Sequence, residues 1–194
     1  MAESEPLVTR DRIIEQATRL FVTRGYHAMS MREIAEAVGV TKAALYYHFS
    51  DKEALFLAVL AASLDRLEVI VREARAAGGT TRAQVERIVR GIFAQTPDQR
   101  AIVRLARQEM ATLGAQSLAQ FGGLYRDKFI GQVEATLAEG VARGELRALD
   151  VRQATWLLLG MISPFLDASP ELDIRATDAA AALAVAVFFD GVGA

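Results

Sequence analysis

Side chains that can bind a polyanion are concentrated in one short stretch of the chain. Its members are Thr41, Lys42, Tyr46, Tyr47, His48 and Lys52. Lysine ammonium groups pair with phosphate oxygens, and tyrosine hydroxyls donate to them while their rings pack against sugars and thymine methyl groups. Lys52 also lies at the expected start of a helix, where free N–H groups and the positive end of the dipole favour a phosphate. For His48 two roles stay open, a phosphate donor or a structural cap between helices.

The residues around this cluster predict two short helices and the start of a long third one. Ser30 and Glu33 have the spacing of a capping box for the first helix. Thr41 can cap the second helix. Ser50 and Glu53 form a further capping box, which predicts a third helix running to about residue 76.

A tight turn at Gly39 joins the first two helices, because glycine tolerates a left-handed backbone without steric cost. Ala35 is small enough for the second helix to cross the first, and apolar residues fill the wedge between them: Ile34, Val38, Val40 and Leu45. This pattern is a helix-turn-helix, which leaves the second helix free to lie in a DNA major groove. The alternative is a small helical bundle with no DNA role.

The segment from about residue 13 to residue 55 resembles the N-terminal domain of the TetR family of bacterial transcription regulators. The matching residues are Ile13, Ala17, Leu20, Phe21, Gly25, Tyr26, Ile34, Ala35, Gly39, Val40, Leu45, Tyr46, His48, Phe49, Lys52, Glu53 and Leu55. The remainder of the chain is similar to the family in its length and its all-helical pattern.

The resemblance implies a set of DNA contacts. Positions matching the recognition helix of the family are Thr41, Lys42, Ala43, Ala44, Tyr46 and Tyr47. Lys52 matches its phosphate-binding lysine, and Ser30, Met31 and Arg32 match the start of the preceding helix. Arg32 is a second candidate for reading a base, since arginine to guanine is the commonest specific contact. Ala43 and Ala44 offer only apolar contact, for instance with a thymine methyl group.

The rest of the chain predicts helices throughout, so the expected fold is all-α, without strands. Residues 1–8 read as a disordered arm, and a helix is expected from Thr9 to Gly25. Later helices are predicted over residues 81–95, 98–113, 116–143, 151–167 and 175–189. Gly122 and Gly123 inside the third of these mark a kink or a later start. The predicted domains are a DNA-binding domain over residues 1–52 and a ligand-binding and dimerisation domain over residues 53–194.

The last two predicted helices carry more apolar surface than one core-facing stripe requires. A helix that is apolar on most sides is buried on most sides. The alternatives are a helix pair buried within one chain and a four-helix interface with a second copy. The family resemblance implies the second, a homodimer whose two reading heads bind a palindromic operator.

The resemblance also places a small-molecule site in the second domain. Aromatic and methionine side chains that can line it are Phe93, Met110, Phe121, Tyr125, Phe129, Trp156 and Met161. Arg104, Arg107 and Glu109 offer a polar anchor. At helical spacing all of these residues also fit an ordinary core or a solvated face. The apolar character of the aromatic and methionine side chains favours a hydrophobic or aromatic effector over a sugar phosphate.

Composition excludes several other classes. The chain has 194 residues, a formal charge of −2, two histidines and no cysteine. It therefore lacks a thiolate metal site and the basic charge of a general nucleic-acid binder. No catalytic constellation, metal site or cofactor site is recognisable, and no secretory signal or membrane span is expected. The predicted function is a cytoplasmic transcription regulator, in the form of a repressor that a ligand releases from its operator; the alternative is a helical adaptor that binds only protein.

Overall fold

A computed structural model describes residues 4–166 and 177–192, and this part of the chain is helical. Its ten α-helices are α1 Ser4–Arg24, α2 Met31–Val38, α3 Lys42–His48, α4 Lys52–Ala76, α5 Thr81–Phe93, α6 Pro97–Glu109, α7 Ala115–Tyr125, α8 Gly131–Ala142, α9 Val151–Leu166 and α10 Asp178–Val192. A 3₁₀ turn, Met110–Thr112, follows α6, and a π-helical segment, Arg126–Ile130, joins α7 to α8. The all-α prediction is confirmed, because these residues form no β-strand element.

These helices pack as two units. Unit one contains the described residues up to Ser63 together with Ala101–Gly122, and unit two contains Leu64–Arg100 with the described residues from Gly123 onward. The core of unit one includes the fully buried Ile13, Phe21, Leu45 and Phe56. The packing units follow the contacts of the chain, whereas the proposed division between residues 52 and 53 is functional and stays a prediction.

Three local predictions need correction. The first helix begins at Ser4, so residues 4–8 extend α1 instead of forming an arm. Helix α4 is capped by Asp51, whose carboxylate accepts from the Ala54 N–H at 2.8 Å, and not by a Ser50–Glu53 box. The helix predicted over residues 116–143 runs without a break at Gly122 and Gly123, but it widens into the π-helical segment a few residues later.

Close helix approach shapes unit two. A Cβ added to Gly91 on α5 would lie 2.6 Å from Cγ2 of Ile70 on α4. A Cβ added to Gly140 on α8 would lie 2.4 Å from Oγ1 of Thr81, the first residue of α5. Helix α5 also packs against α10, and α9 packs against both α8 and α10. Glycine is therefore required at these two crossings, since any side chain would push the helices apart.

Two of the later helix predictions reach residues outside the described ranges. Helix α9 is observed to residue 166, and α10 begins at residue 178, so residues 167 and 175–176 of those predictions lie outside the described part. Within the described ranges, no helix is both long enough and apolar enough to cross a membrane.

Candidate nucleic-acid interface

Helix α2 is capped at both of its ends. The Ser30 hydroxyl accepts from the Glu33 N–H at 3.3 Å, and the Glu33 carboxylate accepts from the Ser30 N–H at 2.7 Å, which confirms the predicted box. These hydrogen bonds from Ser30 also lower the pKa of the Glu33 carboxyl. Gly39 ends α2 with φ 75°, and its N–H and that of Val40 donate to carbonyls of the last helical turn. The geometry therefore holds both helix ends without long-range help.

Helix α3 is short and has one buried side chain. Thr41 caps it by accepting from the Ala44 N–H at 3.0 Å, as predicted. Leu45 is fully buried and anchors the helix on unit one. The opposite side carries Tyr47, which is 80% exposed, and Tyr46, which is 43% exposed. A large aromatic side chain held this open on a capped helix is suited to contact a partner rather than a core.

Positive charge accompanies these rings. Lys42 is exposed at the first position of α3, and its Nζ lies 5.6 Å from the centre of the Tyr46 ring. Thr41 and Ala43 are also exposed, and Ala44 is half-buried. The structure thus gathers most of the predicted recognition-helix side chains on one accessible surface, which we call the α3 face: Thr41, Lys42, Ala43, Tyr46 and Tyr47.

The three predicted DNA-contact residues at the start of α2 differ in how available their side chains are. Arg32 is exposed, but its Nε donates to Oε1 of Glu36 at 2.9 Å. A base contact by Arg32 would have to replace that ion pair. Met31 is 7% exposed, so its side chain belongs to the core and any DNA contact at this position comes from the main chain. The Ser30 hydroxyl also donates to Glu33, at 2.7 Å, so it is already engaged.

Lys52 has intramolecular acceptors that local sequence did not indicate. Its Nζ donates to the carbonyls of Tyr26 and Met29, each at 3.0 Å, and lies 4.4 Å from the centre of the Tyr26 ring. The ammonium therefore ties the start of α4 to the loop between α1 and α2. An ammonium has three donors, so one donor is left for the expected phosphate contact, which stays a prediction.

His48 is half-buried at the last position of α3. Its ring lies edge-on to Tyr47, with 5.1 Å between the ring centres, and tilted against Phe49 at 6.3 Å. Both roles considered for this residue fit the position, because the ring packs at the helix exit while part of it reaches solvent. The remaining histidine, His27, has a definite partner: its Nε2 lies 2.7 Å from Oε2 of Glu109.

The end of α6 and the segment that follows it contribute to unit one in a way that sequence reasoning missed. Glu109 binds His27, and the Gly114 N–H donates to Oε1 of Glu53 at 3.1 Å. Sequence alone suggests Glu109 as an anchor for a ligand and Glu53 as part of a capping box. The partners are about 60 to 80 residues apart in sequence, so no local signal identifies them.

The proposed ligand-lining residues are divided between the two units. Met110 and Phe121 belong to unit one, whereas the others belong to unit two: Phe93, Tyr125, Phe129, Trp156 and Met161. Tyr125 lies 6.0 Å from Phe129 and 6.4 Å from Trp156, measured between ring centres. Phe93 instead lies 5.9 Å from Phe165, an aromatic residue that sequence reasoning missed. The structure therefore brings together aromatic pairs within unit two, and a ligand site that uses them stays a prediction.

Groups of histidine and acidic side chains that could hold a metal ion do not occur among the described residues. The two groups of side chains that the structure brings together for binding are the α3 face and the aromatic pairs in unit two. Neither contains a nucleophile with an adjacent base, and both are suited to binding.

Comparisons with known proteins agree with this geometry. Residues 13–59 match the model of the bacterial regulatory proteins of the tetR family, and residues 78–165 match a tetracyclin repressor-like C-terminal domain. The transcriptional repressor KstR2 of Rhodococcus jostii is 28% identical over 163 residues, which cover 80% of each chain.

Solved structures show the same fold over nearly the whole chain. The TetR family regulator PfmR from Thermus thermophilus is 27% identical, with a TM-score of 0.77 over 92% of this chain and 97% of that one. AibR, solved in complex with isovaleryl coenzyme A and operator DNA, is 26% identical, with a TM-score of 0.76 over the same shares of 92% and 97%. The family consists of transcription regulators and not of enzymes. The chain belongs to the TetR family of bacterial regulators, and it is a DNA-binding transcription regulator.

Proposed function

We propose that the protein is a repressor which binds a palindromic operator as a homodimer and leaves it when a small apolar effector binds unit two. The observation that carries the proposal is the α3 face, where exposed aromatic and basic side chains stand on a helix that Thr41 caps at its start. Such a helix keeps its side chains in place when it enters a major groove. A repressor of this kind works on the chromosome, so the proposal also places the protein in the cytoplasm.

Homodimerisation is supported by apolar side chains exposed on the last two helices. Trp156 and Leu157 on α9 are 49% and 66% exposed, and Leu183 and Val187 on α10 are 60% and 54% exposed. Helices α9 and α10 pack against each other, and large exposed apolar side chains on two packed helices are suited to association. A two-fold dimer formed by α9 and α10 would bury these side chains, and two reading heads related by that axis would bind two half-sites.

An effector is supported by the aromatic side chains of unit two and by the relatives. The Tyr125 ring lies within contact distance of both Phe129 and Trp156, and Phe129 stands on the π-helical segment. Short π-helical segments occur often at functional sites. AibR has been solved with both an acyl coenzyme A and DNA, which supports a small-molecule effector for this chain. Release requires the effector to bind the free protein more tightly than the operator-bound protein, typically with a coupling of about 1–3 kcal/mol.

The DNA-binding part is tested by selecting genomic fragments with the purified protein and measuring operator affinity at several salt concentrations. Lys42→Ala and Arg32→Ala should each cost about 1–3 kcal/mol if the residue reads a base, and should relax specificity at one position of each half-site. Arg19→Ala is the matched control, because Arg19 is exposed on α1 and pairs only with the neighbouring Glu15. If Lys42→Ala and Arg32→Ala both bind the operator with the affinity of wild type, DNA docks elsewhere on the protein.

The dimer is tested by light scattering. Val187→Glu should yield monomers or aggregates, because it would bury an unpaired charge at the interface. Val69→Glu is the control, since Val69 is also partly exposed, at 37%, but lies on α4. A Val187→Glu protein that remains dimeric would exclude α10 as the interface.

A further inference from the structure

Arg66 on α4 is half-buried, and within the described part of the chain its guanidinium has one buried nitrogen without an acceptor. Its Nε is buried and has no hydrogen-bond partner, and the guanidinium makes no salt bridge with any described residue. Burial lowers the pKa of Arg66, which shows that the charge is partly removed from water. The carboxylate of the adjacent Asp65 acts in the opposite direction and raises the pKa of Arg66, but that carboxylate is itself paired with Lys128. A guanidinium nitrogen that is buried normally donates to an acceptor such as a carboxylate or phosphate, because leaving it unpaired costs free energy.

The register of α4 against α5 places a second unsatisfied group at the same level. Ile70 packs against Gly91, and Nη1 of Arg87 donates to the carbonyl of Ala74 at 3.0 Å, so the two helices run antiparallel. One helical turn from Ile70 toward the start of α4 is Arg66, and one turn beyond Gly91 is Gln95. The side-chain oxygen of Gln95 is also buried without a partner. Continued past the end of α5 at Phe93, this register predicts that two of the four buried side-chain atoms without partners in the described chain lie near one level of unit two.

More positive charge and aromatic surface lie at the same end of α5 as Gln95. Nη1 of Arg100 donates to the carbonyl of Phe93 at 2.8 Å and to the carbonyl of Gln95, which brings a second guanidinium to this end of α5. Phe93 is buried, and its ring lies 5.9 Å from that of Phe165. The local chemistry is a cation-rich end next to aromatic surface, which fits an apolar molecule carrying an anionic group.

We propose that Arg66, with Gln95 beside it, binds the anionic group of the effector, and that the effector is an apolar acid or its coenzyme A thioester. The side-chain amide of Gln95 also carries an NH2 group, which can donate to a carboxylate or a phosphate oxygen when the amide is turned toward it. This inference rests on the proposed effector site in unit two. Its test contains no DNA, so its failure is distinguishable from a failure of operator binding.

The experiment is calorimetric titration of the full-length protein with named probes. These are decanoate and 4-phenylbutyrate, the matched alcohols 1-decanol and 4-phenyl-1-butanol, and decanoyl coenzyme A. Wild type should bind an acid at least about 10-fold more tightly than its alcohol, the value of a hydrogen bond to a charged group. Arg66→Met should reduce that preference to about 2-fold or less, while Arg66→Lys, which keeps the charge, should retain part of it. Arg72→Met is the control, because Arg72 is exposed on the same helix.

A stability readout separates binding from folding. Without a probe, Arg66→Met should melt at or above the temperature of wild type, because it removes a buried cation that has no partner. An effect of Arg66→Met on decanoyl coenzyme A alone would identify the thioester's phosphates as the anion, and an effect on the free acids would identify a carboxylate. The proposal is overturned if no probe binds, if Arg66→Met and Arg72→Met bind all probes alike, or if wild type neither prefers acids to alcohols nor binds decanoyl coenzyme A more tightly than Arg66→Met does.

Discussion

Lys52→Met should destabilise the protein even though the lysine lies beside the surface expected to meet DNA. The substitution keeps an unbranched side chain but removes two charge-assisted hydrogen bonds, to the carbonyls of Tyr26 and Met29. It also removes the cation from the face of the Tyr26 ring, 4.4 Å away. We therefore expect the free energy of unfolding to fall well beyond the effect of an ordinary surface substitution, which is usually within about 0.5 kcal/mol.

The magnitude follows from three contributions. Hydrogen bonds to a charged group contribute about 1.5–3 kcal/mol each when buried, and these are half-buried, so about 1 kcal/mol each is the appropriate figure. The cation–π contact adds about 0.5–1 kcal/mol. Removing a cation from the first turn of α4 returns about 0.5 kcal/mol, because the helix dipole disfavours it there. The expected loss is about 2 kcal/mol, or a fall in Tm of about 4–8 °C for a chain of this size.

The assay is urea unfolding followed by circular dichroism, with Lys42→Met as the matched control. Lys42 is exposed and contacts only the neighbouring Tyr46 ring, so its substitution should leave stability within about 0.5 kcal/mol of wild type. Operator binding by folded Lys52→Met should show a salt slope lower by about one unit if the third donor reaches a phosphate. A Lys52→Met protein as stable as Lys42→Met would refute the structural role given to this ammonium.

Two further substitutions test unit two. The hydrogen bond from the Thr81 backbone N–H lowers the pKa of the Glu145 carboxyl from 4.5 to about 2. The ionised carboxylate therefore contributes its full stabilisation above about pH 4.5 and loses it as the pH falls toward 2. Glu145→Gln should be less stable than wild type at pH 7 and nearly equal to it near pH 2, as measured by urea unfolding. Gly140→Ala should destabilise by about 1–3 kcal/mol, because its Cβ would meet the buried Thr81 side chain at 2.4 Å. Gly122→Ala on α7 is its control, since no atom lies within 4 Å of the added Cβ. A stabilisation of up to about 1 kcal/mol is expected for Gly122→Ala, because alanine is the better helix former. Equal effects of the two glycine substitutions would contradict the close approach of α8 to Thr81.

The features that could be predicted are those that depend on residues a few positions apart. The Ser30–Glu33 box, the Thr41 cap and the left-handed Gly39 are local, so sequence spacing identifies them. The Ser50–Glu53 box failed because Asp51 is a better placed cap and Glu53 accepts from Gly114 instead. Residue type alone could not reveal Gly114 as the partner of Glu53, since Gly114 lies far along the chain.

The candidate site was predictable in its exposed part and not in its partners. Helical periodicity places Leu45 inside and Tyr46 and Tyr47 outside, as observed. The carbonyl partners of Lys52 come from a loop more than 20 residues earlier, and nothing local marks them. Likewise, apolar periodicity predicts that Phe121 is buried but does not say in which unit. Tertiary contacts decide these points, and a single sequence carries them only indirectly.

The way α3 is held has a consequence for how operator preference can change. Leu45 is its only fully buried side chain, and the Thr41 hydroxyl and the Gly39 turn fix its start. Positions 42, 43, 46 and 47 point outward, so substitutions there alter the surface offered to base pairs while leaving the folding of the helix almost unchanged. Duplicated copies of such a gene can therefore drift to new operators one outward residue at a time. A library randomised at these four positions, on an otherwise unaltered chain, is the shortest laboratory route to the same end.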